Sequence, residues 1–173
     1  MTGKRRSADD QLTFLAPTDA ALVELVRRNL RLLAEFRSTY QAAGGETTGR
    51  VVRAPEDVVT LLAPEMELLT QEQLRVVLLD TRNRVLDTVM IYQGNVNATP
   101  VRMAEVFRDA IIACAPNVVL VHNHPSGDPS PSPEDAALTR QAVEAAQLLG
   151  IEVLDHIVIG RGRFVSLKDQ GAL

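Results

Sequence analysis

The segment His122-Asn123-His124-Pro125-Ser126-Gly127-Asp128-Pro129-Ser130-Pro131-Ser132-Pro133-Glu134-Asp135 constrains this chain more than any other stretch. Before it, Val118–His122 reads as a buried strand; after it, Pro133–Leu149 reads as a long helix closed by Gly150. Proline lacks an N–H and fixes φ, so a stretch holding Pro125, Pro129, Pro131 and Pro133 is neither helix interior nor central strand. It is a stiff loop at the edge of a sheet, and its polar groups are held with less ordering entropy. Ser132 fits an N-cap and Pro133 the first helical position. Glu134 and Asp135 complement the positive helix end.

His122 and His124 stand two apart on an extended segment and so point to one side. The edge of an open α/β sheet is where such proteins place their sites. Neutral imidazole is a preferred zinc ligand, although a bare His-x-His is a weak signal. Asp135, fixed in the first helical turn, can add a rigid third ligand, and its capping role does not conflict with that. Two His and one Asp leave a fourth zinc position to water, which is the catalytic arrangement rather than the closed structural one. Zinc lowers the pKa of such a water toward about 7, and a carboxylate beside it can act as general base.

The rest of the chain frames this centre. Residues 1–16 read as a flexible leader. A helix is expected from Thr18 to about Phe36 or Tyr40, with Leu22, Leu25, Val26, Leu30, Leu33 and Phe36 on one face. Arg27, Arg28, Arg31 and Arg37 read as its solvated side. Ala43–Gly49 is a loop or linker. The division expected is 1–48 for leader, helix and linker, and 49–173 for the main domain. Val51–Arg53 is a short extended piece, Pro55 opens a helix through about Ala63, and a second short helix covers Pro64–Leu69. Leu74–Asp80 is a strand buried on both faces, and Val85–Gln93 returns from it as a hairpin. Gly94–Pro100 is a loop. Val101–Cys114 reads as a helix with Val101, Ala104, Val106, Phe107, Ile111 and Ile112 partly buried. Ile151–Ile159 and Arg163–Leu167 form a last hairpin. This order predicts an α/β fold, a mixed sheet with helices packed on it.

Composition narrows the function. Net charge is -4 and only 3% of residues are aromatic, with no Trp, so neither phosphate-backbone gripping nor a base-stacking platform is supplied. The lone Cys114 can make no internal disulfide and no Cys-rich zinc site. It is expected to be buried and inert. The longest apolar run, Ile111–Val121, is broken by Pro116 and Asn117 and falls far short of the roughly 20 residues a membrane span needs. Asp9, Asp10 and Gln11 stand where a signal peptide needs apolar residues, so a cytoplasmic protein is expected.

His122-x-His124, seven residues, Ser132, two residues and Asp135 together resemble the JAMM (MPN+) zinc metalloprotease motif. The longer string, with the sequence around it over about residues 50–169, is similar to the RadC-like JAB domain. The resemblance implies a JAMM/MPN-type fold: a curved mixed sheet flanked by helices, in cytidine-deaminase-like layering, with zinc at the sheet edge. It implies zinc held by His122, His124 and Asp135, and Ser132 helping to stabilise a tetrahedral oxyanion. It also implies a water-activating Glu upstream. That points to Glu72, with Glu105 as the competitor. His156 matches the family pattern and is either a group facing the site or a structural strand residue. Ser126 bonds either a ligand or its own turn. Gly127-Asp128 reads as turn chemistry, and Asn123, pointing away from the ligands, as structural. The family's N-terminal helix-hairpin-helix region is not evident in the roughly 50 residues before the matched part, which weakens any inferred DNA association.

The leading function is therefore a zinc-dependent peptidase or amidohydrolase acting on a peptide or isopeptide. Direct nucleic-acid binding and membrane contact are not expected. The N-terminal helix offers a surface for a homodimer. The alternative is a non-catalytic binding or scaffold module of a DNA-repair or mobile-element pathway. A nucleobase deaminase is disfavoured, since that chemistry uses H-x-E with P-C-x-x-C. A nuclease would favour a second metal and a basic groove.

Overall fold

Every residue of β1 (Gln73–Leu79) is buried, as its near-continuous apolar run predicts. The strand lies between β2 (Val85–Gln93) and β3 (Asn117–Asn123), antiparallel to both. β3 runs parallel to β4 (Glu152–Ile159), and β5 (Phe164–Ser166) closes the far edge, giving the order β2-β1-β3-β4-β5. These elements come from a computed structural model that describes Arg28, residues 48–94 and residues 101–173. The expected leader, the body of the helix from Thr18 with its homodimer surface, the linker before Thr48 and the loop from Asn95 to Pro100 lie outside the described residues; Arg28 is helical and exposed.

Strand alternation divides the core in two. Val77 and Leu79 of β1, Val119 and Val121 of β3 and Ile157 and Ile159 of β4 pack against α1 (Pro55–Met66), through Val58, Leu62 and Met66. Leu74, Val76, Leu78, Val118 and Leu120 point the other way. They meet Val106, Phe107 and Ala110 of α2 (Met103–Ala113) and Ala142 and Ala146 of α3 (Pro133–Leu149). The mixed sheet expected from the sequence is thus an open sheet of five strands flanked by three helices among the described residues. None of the described helices is long and apolar enough to cross a membrane.

Three local expectations need correction. Pro64 does not start a second helix; it sits inside α1, which continues to Met66. A proline in the last turn removes one intrahelical bond, and Leu62, Ala63 and Met66 stay buried against the sheet there. Ile111 and Ile112 are exposed, at 53% and 66%, as is Ala104. α2 buries the Val106–Phe107–Ala110 stripe on the sheet, flanked by half-buried Met103 and Ala113, while Ile111 and Ile112 lie off that stripe. Cys114 is also exposed. It is the C-cap of α2 in the left-handed conformation (φ 51°), so its side chain leaves the apolar row before it.

One ion pair ties α1 to β1. The Arg75 guanidinium, 10% exposed, donates to both carboxylate oxygens of Glu65 at 2.8 and 2.6 Å, and to Gln73 Oε1. Glu65→Ala leaves that guanidinium short of acceptors and is expected to lower unfolding free energy by about 1–2 kcal/mol in urea titration. Arg75 holds Glu65 below its ordinary value of 4.5. The pair's contribution is therefore complete above that pH and is lost as pH falls through the depressed value.

Candidate metal centre

Register decides which side chains meet. Leu74 of β1 pairs with His122 of β3, and both lie on the α2/α3 face. Two residues back from Leu74, Glu72 stands at the strand entry with the same parity. Leu120 pairs with His156 of β4, so His156 also faces α3. α3 opens beneath this edge. Ser132 caps it by accepting from the Asp135 amide at 3.1 Å, and the Ser132 amide donates to Asp135 Oδ2 at 2.7 Å. This reciprocal box fixes Asp135 against the end of β3.

The proline loop holds the second histidine. His124 N–H donates to Ile159 O at 2.8 Å, which extends the β3–β4 pairing by one step. Gly127, at φ +87°, turns the chain and donates to His124 O. Ser126 Oγ accepts from Asp128 N within that turn, so it acts as turn chemistry here. The β4–β5 turn braces the loop. A Cβ on Gly160 would lie 2.6 Å from Gly127 O and 2.7 Å from Pro129 Cδ, so no larger residue fits without displacing it.

His122, His124 and Asp135 are brought together, each offering a ligand atom within 4.8 Å of the others. His122 Nε2 lies 3.0 Å from His124 Nε2 and 3.2 Å from Asp135 Oδ1; His124 Nε2 lies 3.4 Å from Asp135 Oδ2. The hydrogen-bond network decides what those nitrogens carry. A backbone carbonyl can only accept. His124 Nδ1, 2.8 Å from Asp128 O, therefore bears the proton, and its Nε2 bears the lone pair. Thr139 Oγ1 donates to Asp135 O at 2.7 Å, so it accepts from His156 Nδ1 at 2.6 Å. His156 Nε2 is then an acceptor, and His122 Nδ1 donates to it at 2.9 Å. His122 Nε2 is left with its lone pair as well. Two lone pairs 3.0 Å apart beside a carboxylate repel one another unless a cation or a proton lies among them. This donor set fits a divalent metal ion of the kind that takes imidazole and carboxylate.

The electrostatics agree. Burial opposes ionisation of Asp135. Where a proton rather than a cation lies among these groups, hydrogen bonds from His122 and His124, with that of the Ser132 amide, outweigh it and hold the carboxyl far below the usual carboxylate range. The bond to Asp135 raises His124 above the ordinary imidazole value against its partial burial, with Asp128 O and the Glu72 charge adding to it. His156 is fully buried, and that desolvation pushes it well below the ordinary value, so it stays neutral.

The other expected residues sort clearly. Glu72 is half-buried, near enough for its charge to act on His124, and lines a groove of about 340 Å³ with Thr70, Gln71, Gly94 and Pro125. Glu105 is on the first turn of α2, ion-paired with Arg102 at 3.3 Å. Ser132 is an N-cap, and its hydroxyl donates to Asp135 Oδ2 at 2.7 Å. His156 faces the site: its buried ring touches His122 at 2.9 Å and Thr139 at 2.6 Å. Thr139 was missed by the sequence reading. Its signal was its place four residues after Asp135, on the same helix face. Thr139→Val strands a buried imidazole N–H and frees His156 to take the other tautomer, which drives a proton onto His122 Nε2. The expected result is about 10- to 100-fold weaker metal binding, read by competition with a chromophoric chelator.

Residues 52–172 match the model of the RadC-like JAB domain family. The chain is 53% identical over 142 residues to a UPF0758 protein of Roseiflexus castenholzii, covering 82% of this chain and 60% of that one. It is 52% identical over 120 residues to a UPF0758 protein of Chloroflexus aurantiacus (69% and 52% covered). It is 48% identical over 152 residues to one of Methanosarcina barkeri (88% and 61% covered). The chain thus spans about half to three-fifths of the length of these curated relatives. With a mixed sheet between helices and a His-His-Asp group able to hold a metal at its edge, the chain belongs to the RadC-like JAB domain family.

Proposed function

We propose that the chain is a zinc-dependent hydrolase that cleaves a peptide or isopeptide bond. The observation that carries this reading is the convergence of two imidazole lone pairs and an ionised carboxylate beside a groove lined by Glu72. Zinc held by His122, His124 and Asp135 would supply Lewis acidity and a water ionising near neutral pH, with a coordination place left open by only three protein ligands.

The chain's own residues do the rest. Glu72 takes a proton from the attacking water and returns it to the leaving amine nitrogen. The groove formed by Thr70, Gln71, Glu72, Gly94 and Pro125 orients the substrate chain. Ser132 Oγ donates to Asp135, so it reaches the substrate's developing oxyanion only by rotating away from that carboxylate. His156 and Thr139 hold His122 in the tautomer that leaves Nε2 available.

The test is cleavage of a fluorogenic peptide library and of Lys-linked isopeptide probes by the metal-stripped chain before and after one equivalent of zinc. Zinc-dependent cleavage that a chelator removes is the expected result. A zinc-loaded chain that cleaves neither class would overturn the reading in favour of a binding module.

A further inference from the structure

We propose that Asn123 is a positioning residue that holds Glu72 at the metal edge; this rests on Glu72 being the base. The regular β1–β3 pairing ends at Leu74 and His122, before Glu72 is reached. The β1–β2 pairing continues to Gln73 and Gln93, so this end is held by the ladder on one side only, and a half-paired strand end frays more readily. The Asn123 carboxamide takes over where the ladder stops. Its Oδ1 accepts from Gln73 N at 2.8 Å, and its Nδ2 donates to Gln71 O at 3.2 Å.

Those two bonds engage the two peptide groups on either side of the Glu72 Cα. Gln71 O belongs to the peptide before it and Gln73 N to the peptide after it. Holding both planes restrains the φ and ψ of Glu72, and so the direction in which its Cα–Cβ bond leaves the strand. Gly94 N, donating to Glu72 O at 2.9 Å, braces the second peptide from the β2 side. Asn123 is 2% exposed, so water does not replace these bonds if the carboxamide is removed.

The residue type is specific. Gln71 O only accepts and Gln73 N only donates, so the side chain must offer one donor and one acceptor on a short stem. Aspartate lacks the donor, and alanine lacks both groups. Because Asn123 lies between His122 and His124, one short segment sets the ligands and the base together. A misplacement of about 1 Å in such a group is enough to lower a rate about 100-fold.

The test uses the full chain loaded with cobalt(II), whose visible bands report the metal's environment without a substrate. Parent, Asn123→Ala, Asn123→Asp, Glu72→Gln and the Glu72→Gln/Asn123→Ala double variant are compared. Cobalt stoichiometry is expected to be unchanged in all five. Amide exchange at Gln73 is expected to quicken at least about tenfold in Asn123→Ala. The pH midpoint of the cobalt bands is expected to move in Asn123→Ala in the same direction as in Glu72→Gln. In the Glu72→Gln background, Asn123→Ala is expected to add nothing. Should Asn123→Ala not fold, Asn123→Asp, which keeps the acceptor, carries the same comparison with a smaller shift. A parent-like midpoint in the Asn123 variants, an undiminished shift in the double variant, or loss of cobalt would each overturn the proposal while leaving Glu72 as base. A parent-like midpoint in Glu72→Gln would remove the base reading itself, and Asn123's role with it.

Discussion

Protein carrying His124→Ala is expected to hold less than about a tenth of a zinc ion per chain after metal stripping and reloading, against about one in the parent. Two ligands do not retain the ion against solvent, and the alanine removes the loop's only imidazole. The fold is expected to survive. His124's side chain bonds outward to Asp128 O, and the turn is held separately by Gly127 and by the Asp128–Ser130 contacts. Measured at falling pH, the parent's zinc affinity should drop as His124 protonates. Asp135 raises that imidazole above its ordinary value, so the proton competes already at pH above the usual histidine range. A variant with parental zinc content would place any metal elsewhere.

Glu72→Gln is expected to keep its zinc and to lose about 100- to 10,000-fold in hydrolysis. The carboxamide preserves size and hydrogen bonding but takes no proton, so metal binding and bond cleavage separate in one variant. Glu105→Gln is the matched control. Glu105 pairs with Arg102 on the first turn of α2, and its replacement is expected to leave the rate within twofold, about the effect of a lost surface pair. Full activity in Glu72→Gln, measured with the same fluorogenic probe, would return the base to another group.

The clustering of His122, His124 and Asp135 was legible because it is local. These candidate ligands lie on one strand end, the loop after it and the helix that follows, so their spacing carries the geometry. The double-sided burial of β1 was legible for a similar reason: apolar residues at five of its seven positions, on both faces, leave no solvent face. Three things were not legible. Periodicity shows that α2 has apolar residues on several sides, but only packing shows that Ile111 and Ile112 are left uncovered. Thr139 reads as an ordinary helix polar residue until His156 of β4 is found against it. Glu72's facing follows from the pairing of Leu74 with His122, a fact about two strands some fifty positions apart.

That pairing has a consequence for how the molecule fails. The candidate ligand trio needs only β3, its loop and the start of α3, all joined by short stretches of chain. The proposed base, Glu72, arrives from a separate hairpin. Side chains alternate along a strand, so a slip of one residue between β1 and β3 would send Glu72 to the α1 side while leaving His122, His124 and Asp135 in place. Misfolding at that seam would therefore yield an ion-loaded but hydrolytically silent species, and metal content alone would not reveal the damage.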